Sequence, residues 1–310
     1  MAKRSFITGA GGFIGANLAR RLLAEGDEVH VFVRPAKTNW RLIGLEDKIT
    51  VHEGDMRSYE SVQAALQVAK PERVFHLAGY GASGTEKDSD QIREVNITGT
   101  HHLYRVCSEI GGVEVIIHAG SAAEYGKKQE SLREDMLPEP STEYGLAKLW
   151  ATQYGEILRR EKNVPITTLR LFNTYGPYDV GVRLSAAVTL ALLRGDVPQL
   201  SNPEVVRDFV YIDDVVGAFL KATDAPFGVY NVGTGIQTSL REVVALIQKE
   251  VGSNKELVWG GDPGRGTDSS FFMADTTKAE HGLGWKATTP LTDGMQKSVA
   301  WLSDHQESYA

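Results

Sequence analysis

Tyr144 and Lys148 stand four residues apart in "STEYGLAKLW", a spacing that sets a phenol and an ammonium on one face of a helix. A cation buried beside a phenol draws the phenol's pKa toward neutrality. Such a phenol can pass a proton to or from a carbinol/carbonyl pair. Upstream, "HAGSAAEYG" ends an extended run with Ser121, whose hydroxyl can bond the same oxygen. Thr142 or Ser141 reads as the cap of the helix that carries the pair. Near the start, "FITGAGGFIGANL" spaces Gly9, Gly12 and Gly15 three apart. Gly9 permits a tight turn, Gly12 lets the backbone approach a pyrophosphate, and Gly15 lets helix and strand pack closely. The helix N-terminus that follows supplies free N–H groups and partial positive charge for phosphates. The spacing is G-x-x-G-x-x-G, not the commoner G-x-G-x-x-G.

The next strand, "EVHVFVRP", bears on which dinucleotide such a loop holds. An acid at its end, ~20 residues past the glycines, would bind the adenosine ribose hydroxyls. Val33 occupies that place and Arg34 follows, which favours the 2′-phosphate of NADP over NAD. Arg34 can equally be a solvated loop residue. Asp55 in "EGDM" can accept from the adenine amino group or cap a helix.

These residues need a scaffold that brings them together, and the chain alternates the required elements. "RSFIT", "EVHVFV", "KITVHEGD", "ERVFHLAG", "VEVIIHAG" and "PITTLRLFN" read as strands. Helical patterns cover Phe13–Glu25, "SVQAALQVA", Gln91–Ile110 and about Thr142–Glu161. Alternating β and α elements predict an α/β fold, a Rossmann-type doubly wound parallel sheet covered on both faces. After Asn173 the pattern loosens. Helices are expected at Leu184–Arg194, Asp213–Thr223, Leu240–Val251 and Asp293–Ser303, with "VYNVG" and "ELVWG" extended between them. Residues 1–173 then form the dinucleotide-binding domain and 174–310 mainly a smaller C-terminal α/β substrate-binding lobe. "RDFVYI" is a segment that could return to the first domain.

The 310 residues allow one large domain or two modest ones, and 42% hydrophobic with 24% charged residues excludes a disordered chain. A net charge of −7 argues against nucleic acid or an anionic membrane as partner, so an anionic ligand needs a local basic site. Cys107 is the single cysteine, which excludes an internal disulfide, and its apolar stretch predicts a buried thiol. No apolar run approaches a membrane span and no leader pattern opens the chain, so a cytoplasmic protein is expected. No metal-ligand cluster is expected.

Taken together, the motifs "TGAGGFIG", "EGDM", "VFHLAG", "VNITGT", "SAAEYG", "YGLAK", "LRLFNTYGP", "RDFVYIDDVV", "YNVGTG" and "ADTTKAEHGLGW" are similar to those of the extended short-chain dehydrogenase/reductase family, its nucleotide-sugar epimerases, dehydratases and ketoreductases. The resemblance spans nearly the whole chain. It implies catalytic roles for Ser121, Tyr144 and Lys148, with Lys148 also holding the nicotinamide ribose. It implies cofactor contacts from Phe13, Ile14, Met56, Leu77, Ala78, Gly79 and Asn96. It implies a nucleotide-diphosphate sugar gripped by Asn173, Arg207 and Arg265, and a homodimer built on the helices about Gln91–Ile110 and Thr142–Glu161. Leu103, Val106 and Cys107 could form that interface or face the sheet. The family's 4,6-dehydratases carry an Asp-Glu pair directly after the catalytic hydroxyl residue; here Ala122 and Ala123 stand there, and Glu124 falls one place late, on the other side of an extended segment. Hydride transfer without elimination remains. The Val33–Arg34 pair tips the expectation to NADPH-dependent reduction of a 4-keto sugar, with an NAD-dependent 4-epimerase as the alternative. A carbonyl reductase outside sugars and a binding protein without turnover are further alternatives, the latter disfavoured by the intact Ser121, Tyr144 and Lys148.

Overall fold

A computed structural model describes residues 2–35, 39–260 and 271–309. The first half alternates as expected: β1 Arg4–Thr8, α1 Phe13–Ala24, β2 Glu28–Val33, β3 Ile49–Glu53, α2 Tyr59–Ala69, β4 Arg73–His76, α3 Ser89–Arg93, α4 Gly99–Ile110, β5 Val115–Ser121, α5 Glu143–Lys162 and β6 Ile166–Leu171. The second half adds β7 Asn173–Tyr175, α6 Leu184–Leu193, β8 Val206–Tyr211, α7 Ile212–Lys221, β9 Val229–Val232, β10 Gln237–Ser239, α8 Leu240–Val251, α9 Thr277–Gly282 and α10 Leu291–Asp304.

The large sheet has seven parallel strands in the order β3-β2-β1-β4-β5-β6-β9. The chain winds outward from β1 to β3, then starts again at β4 on β1's other side. That reversal opens a crevice above the C-terminal ends of β1 and β4, where α/β sheets bind ligands. Alternate residues face opposite layers. Ile7, Phe75 and Ile117 pack under α1 and α7. Phe6, Val74, Ile116 and Ile166 pack under α2, α4 and α5. The segment that returns to the large sheet is β9, paired with β6, whereas "RDFVYI" supplies β8 of a small β10-β8-β7 sheet. β7 is parallel to β8 and β10 antiparallel to it.

Two local departures have physical causes. The helical pattern of Gln91–Ile110 is interrupted by one π-type turn at Glu94–Thr98, which joins α3 to α4. "ELVWG" forms no strand; Trp259 makes only an isolated bridge to Leu200. Leu103, Val106 and Cys107 face the sheet and are buried, so they are core residues rather than interface. Burial pushes the Cys107 thiol up to about 12, as for an inert core thiol. No helix among the described residues is long and apolar enough to cross a membrane.

Candidate active site

The glycine loop is built by close backbone contact. Gly9 has φ +72°, and a Cβ there would lie 2.6 Å from the Ala78 nitrogen. A Cβ on Gly15 would stand 2.3 Å from the Gly9 carbonyl oxygen. Only bare glycine lets α1 start against β1 in this way. Gly12 is the N-cap of α1, with no side chain capping the first turn and no acid in it. The free amides therefore face outward, as an anion requires. The loop is held from beneath by Thr8, whose Oγ1 accepts from the Ala78 amide at 3.2 Å.

Above the switch point lies a cavity of about 1590 Å³. Gly9, Gly12, Phe13, Ile14, Gly15, Leu77 and Gly79 line its glycine-loop side. Ser121, Tyr144 and Lys148 line its centre, and Asn173 and Arg207 its far side. The cradle, the free helix N-terminus and this continuous length fit a dinucleotide lying next to a second ligand.

The central three come together through α5. Thr142 caps it, its Oγ1 accepting from the Gly145 amide at 3.0 Å. Gly145 lets the helix start directly on the turn after β5; a Cβ there would stand 2.5 Å from the Ala123 carbonyl oxygen. Ser121 ends β5, its Oγ accepts from the Ala123 amide at 3.1 Å, and it lines the cavity beside Tyr144. One turn along α5, Lys148 is buried and donates to the Ala119 carbonyl at 3.0 Å. Burial draws its ammonium down to about 8, opposed by the charge of Glu124. Burial pushes the Tyr144 phenol up to about 12; the Ser121 hydroxyl and the Arg183 charge pull the other way. The expected lowering of the phenol by Lys148 is not found in the protein alone, where burial leads and Ser121, Glu124, Arg183 and Glu86 are the groups that act on it. The Lys148 nitrogen is 5.9 Å from the Tyr144 ring centre, and burial dominates. The protein's own groups keep Tyr144 protonated at neutral pH.

Ala122 and Ala123 face the cavity, but Glu124 turns inward. Its carboxylate accepts from the Ser121 amide at 2.8 Å and from buried Arg170 at 2.8 Å. No carboxylate follows Ser121 on the cavity side, so elimination lacks its acid and base there.

Of the other residues singled out from the sequence, Asn96, Met56, Arg34 and Asp55 are not among those that line this cavity. Asn96 is buried, with both ends of its amide taken by Tyr80: it accepts from the Tyr80 amide at 3.0 Å and donates to the Tyr80 carbonyl at 2.7 Å. It holds the loop after β4 rather than facing the cavity. The Met56 side chain is buried in the core against Gly99. Arg34 is exposed just past β2, near Asp55. The Asp55 carboxylate is held below its usual range by hydrogen bonds from Arg57, the closest at 2.7 Å. Asp55 does not cap α2; Ser58 does, accepting from the Ser61 amide. Asn173 opens β7 beside Phe209 of β8. Arg207 donates to the Val206 carbonyl at 2.7 Å and lies 5.5 Å from the Phe272 ring centre. Next to it, buried Asp208 accepts from the Thr234, Gly235 and Ala274 amides, tying β8 to both neighbouring loops. Arg265 lies outside the described residues.

Sequence reasoning missed Arg183 and the loop 81–87. Arg183 is the N-cap residue of α6 and lines the cavity, 5.8 Å from the Phe13 ring centre and 3.4 Å from the Asp179 carboxylate. The loop 81–87 lines the cavity, with Glu86 accepting from the Gly81 amide at 3.0 Å. The glycine- and serine-rich run "YGASG" was the available signal for that loop. Nothing local marked Arg183.

Residues 5–233 match the NAD dependent epimerase/dehydratase family. A UDP-glucose 4-epimerase of Mycolicibacterium smegmatis is 30% identical, over 98% of this chain and 100% of that protein. Among solved structures, a UDP-glucose 4-epimerase from Thermotoga maritima, with UDP-glucose, superposes with a TM-score of 0.89 at 28% identity, covering 97% of this chain and 99% of that one. A UDP-glucose 4-epimerase of Thermus thermophilus, in complex with NAD, superposes with a TM-score of 0.86 at 26% identity, over 96% and 98%. The chain is an enzyme of the extended short-chain dehydrogenases/reductases and belongs to the NAD-dependent epimerase/dehydratase family.

Proposed function

We propose that the protein is an NAD-dependent 4-epimerase of a UDP-sugar. The observation that carries this reading is that Ser121, Tyr144 and buried Lys148 line one cavity whose side after Ser121 bears alanines and no carboxylates. That constellation suits hydride transfer with one proton partner. Relatives aligned over nearly the full chain are 4-epimerases of UDP-glucose and UDP-glucuronate, which favours epimerisation over the one-way reduction expected from Val33 and Arg34. NAD replaces NADP in the proposal because the relatives solved with a dinucleotide hold NAD. The Asp55 carboxylate near Arg34 also opposes a second phosphate at that end.

A dinucleotide held by the Gly9–Gly15 loop and Lys148 would supply the hydride acceptor and donor for C4 of the sugar. Because the protein's own groups keep Tyr144 protonated, it would take the C4 hydroxyl proton only as the phenolate that the positive charge of an oxidised nicotinamide would favour, and it would give that proton back once the keto sugar has turned its other face. Ser121 holds the C4 oxygen between the two events. Lys148 keeps one N–H on Ala119 and would offer another to the cofactor ribose, acting on the phenol through its charge. Arg207 and Asn173, on adjacent strands, grip the diphosphate, joined by Arg265. Residues 174–310 supply most of the sugar-nucleotide side. The protein acts as a homodimer through α4 and α5. Leu146 and Ile157 are exposed on α5 at 58% and 40%, on the face that also carries stacked Trp150 and Tyr154.

The test is to identify the nucleotide released on denaturing the purified protein and to follow UDP-glucose and UDP-glucuronate by NMR. Bound NAD and appearance of the 4-epimer support the proposal. NADPH-dependent reduction of a UDP- or dTDP-4-keto sugar with no epimer formed overturns it.

A further inference from the structure

Behind Lys148, on the side away from the cavity, lies a second polar cluster. Thr8, His76, His118 and Thr168 occupy one row across β1, β4, β5 and β6. All four are buried beneath α4 and α5. His76 is fully satisfied, its Nδ1 2.7 Å from Thr8 Oγ1 and its Nε2 2.9 Å from Thr100 Oγ1. Its neighbour His118 is the opposite case. Neither ring nitrogen of His118 has a hydrogen-bond partner among the described residues, nor do the Tyr104 hydroxyl or the Thr152 hydroxyl. His118 is 1% exposed, and Tyr104 and Thr152 are 0% exposed.

These groups converge. The Tyr104 ring centre is 6.1 Å from that of His118, which is 5.1 Å from that of His76. Thr152 follows Lys148 by four residues on α5, and Gly155 follows Thr152 by three, all on one helix face. Gly155 brings α5 into contact with Tyr104, since a Cβ there would stand 3.6 Å from the Tyr104 oxygen. His118 immediately precedes Ala119, whose carbonyl receives the Lys148 ammonium. A buried polar atom without a partner is costly, and a single buried water satisfies ~3 such atoms.

We propose that His118, Tyr104 and Thr152 enclose an internal hydration site behind Lys148, whose water solvates the ammonium from the side opposite the cavity. The site deepens the reading of Lys148 given above and rests on it. The charged and titratable groups facing Lys148 are Tyr144 on its own helix, Glu124 after β5, and His118 and His76 on the sheet; Tyr104 and Cys107 of α4 border the site beyond them. Burial and the Lys148 charge hold both imidazoles below their usual range, so both are neutral, and His118, whose ring nitrogens have no partner among the described residues, can accept a hydrogen bond from water. The water keeps the ammonium charged to higher pH than a dry pocket would.

A high-resolution crystal structure tests the site without reference to activity. Water within hydrogen-bond distance of His118 and of either hydroxyl is expected; direct packing of the three side chains with no water between them overturns the proposal. The double variant Tyr104→Phe/Thr152→Val then tests the link to Lys148. Deleting hydroxyls from a dry pocket raises the melting temperature and leaves the pH profile in place, which overturns the proposal. Deleting them from a hydrated one lowers the melting temperature. It also moves the alkaline limb of kcat to lower pH by about one unit, as further desolvation of an ammonium requires, with KM for the sugar unchanged. That shift would still be readable in whichever direction the enzyme turns over its sugar, and the water is visible whether or not it turns over any.

Discussion

At the scale of single residues, Tyr144 and Lys148 carry opposite burdens. The buried Lys148 ammonium is held at about 8 against an ordinary 10.5, a gap worth roughly 3 kcal/mol against folding at neutral pH. The unfolded chain binds a proton between those two values that the folded chain does not. Wild-type stability therefore recovers as pH rises through that window. Lys148→Met should melt about 3–6 °C higher at pH 7, with the difference shrinking toward pH 10, while both turnover and NAD binding fall. A variant that melts lower at pH 7, with a gap independent of pH, would contradict the burial argument. Tyr144→Phe removes one proton and one hydrogen bond and keeps the ring. Turnover should drop by ~10²–10⁴ with NAD affinity little changed; more than about a tenth of wild-type turnover, well inside that range, excludes Tyr144 as the proton partner. Both residues were legible because four-residue spacing survives in one dimension. Arg183 was not, because a loop from Gly176 brings it to the Phe13 ring from the far half of the chain.

At the scale of elements, the site depends on how closely α5 begins on the turn after β5. Gly145 sets that approach, and Gly145→Ala must push the Ala123 carbonyl away. Separating Ser121 from Tyr144 by about 1 Å can cost ~10² in kcat. Stopped-flow or steady-state assays of that variant should show the loss in kcat with a smaller change in the sugar KM. Wild-type kcat in Gly145→Ala would show that the contact is not needed. The strands and most helices could be read because buried parallel strands are continuously apolar and the covering helices keep their period. The π-type turn at Glu94–Thr98 could not, since one extra residue leaves the apolar stripe on either side intact. "ELVWG" misled for a related reason: an apolar run predicts burial, but strand pairing needs a free neighbouring edge. Asp208 went unnoticed beside Arg207, although its three amide partners fix the strand that presents that arginine.

At the scale of the whole molecule, the winding order places the glycine loop, Ser121 and Tyr144 above one crevice, and that much follows from alternating elements alone. The assignment of the second half was less legible, because β9 crosses back to the large sheet while β8 stays in the small one. Burial of Leu103, Val106 and Cys107 moves the proposed dimer contact to the outer face of α5. Light scattering at micromolar concentration should give a dimer, and Leu146→Glu/Ile157→Glu a monomer; a monomeric wild-type protein would refute that assembly. The choice between epimerase and reductase turns on where the hydride at C4 comes from, which no residue pattern reports. The most direct measurement is turnover of UDP-[4-²H]glucose with catalytic NAD, followed by NMR and by absorbance of reduced nicotinamide. An epimerase moves the same hydride out and back, so UDP-galactose should form with deuterium retained at C4 and no net change in reduced cofactor. Absence of the epimer, or stoichiometric consumption of NADPH to reduce a 4-keto sugar, would contradict the account.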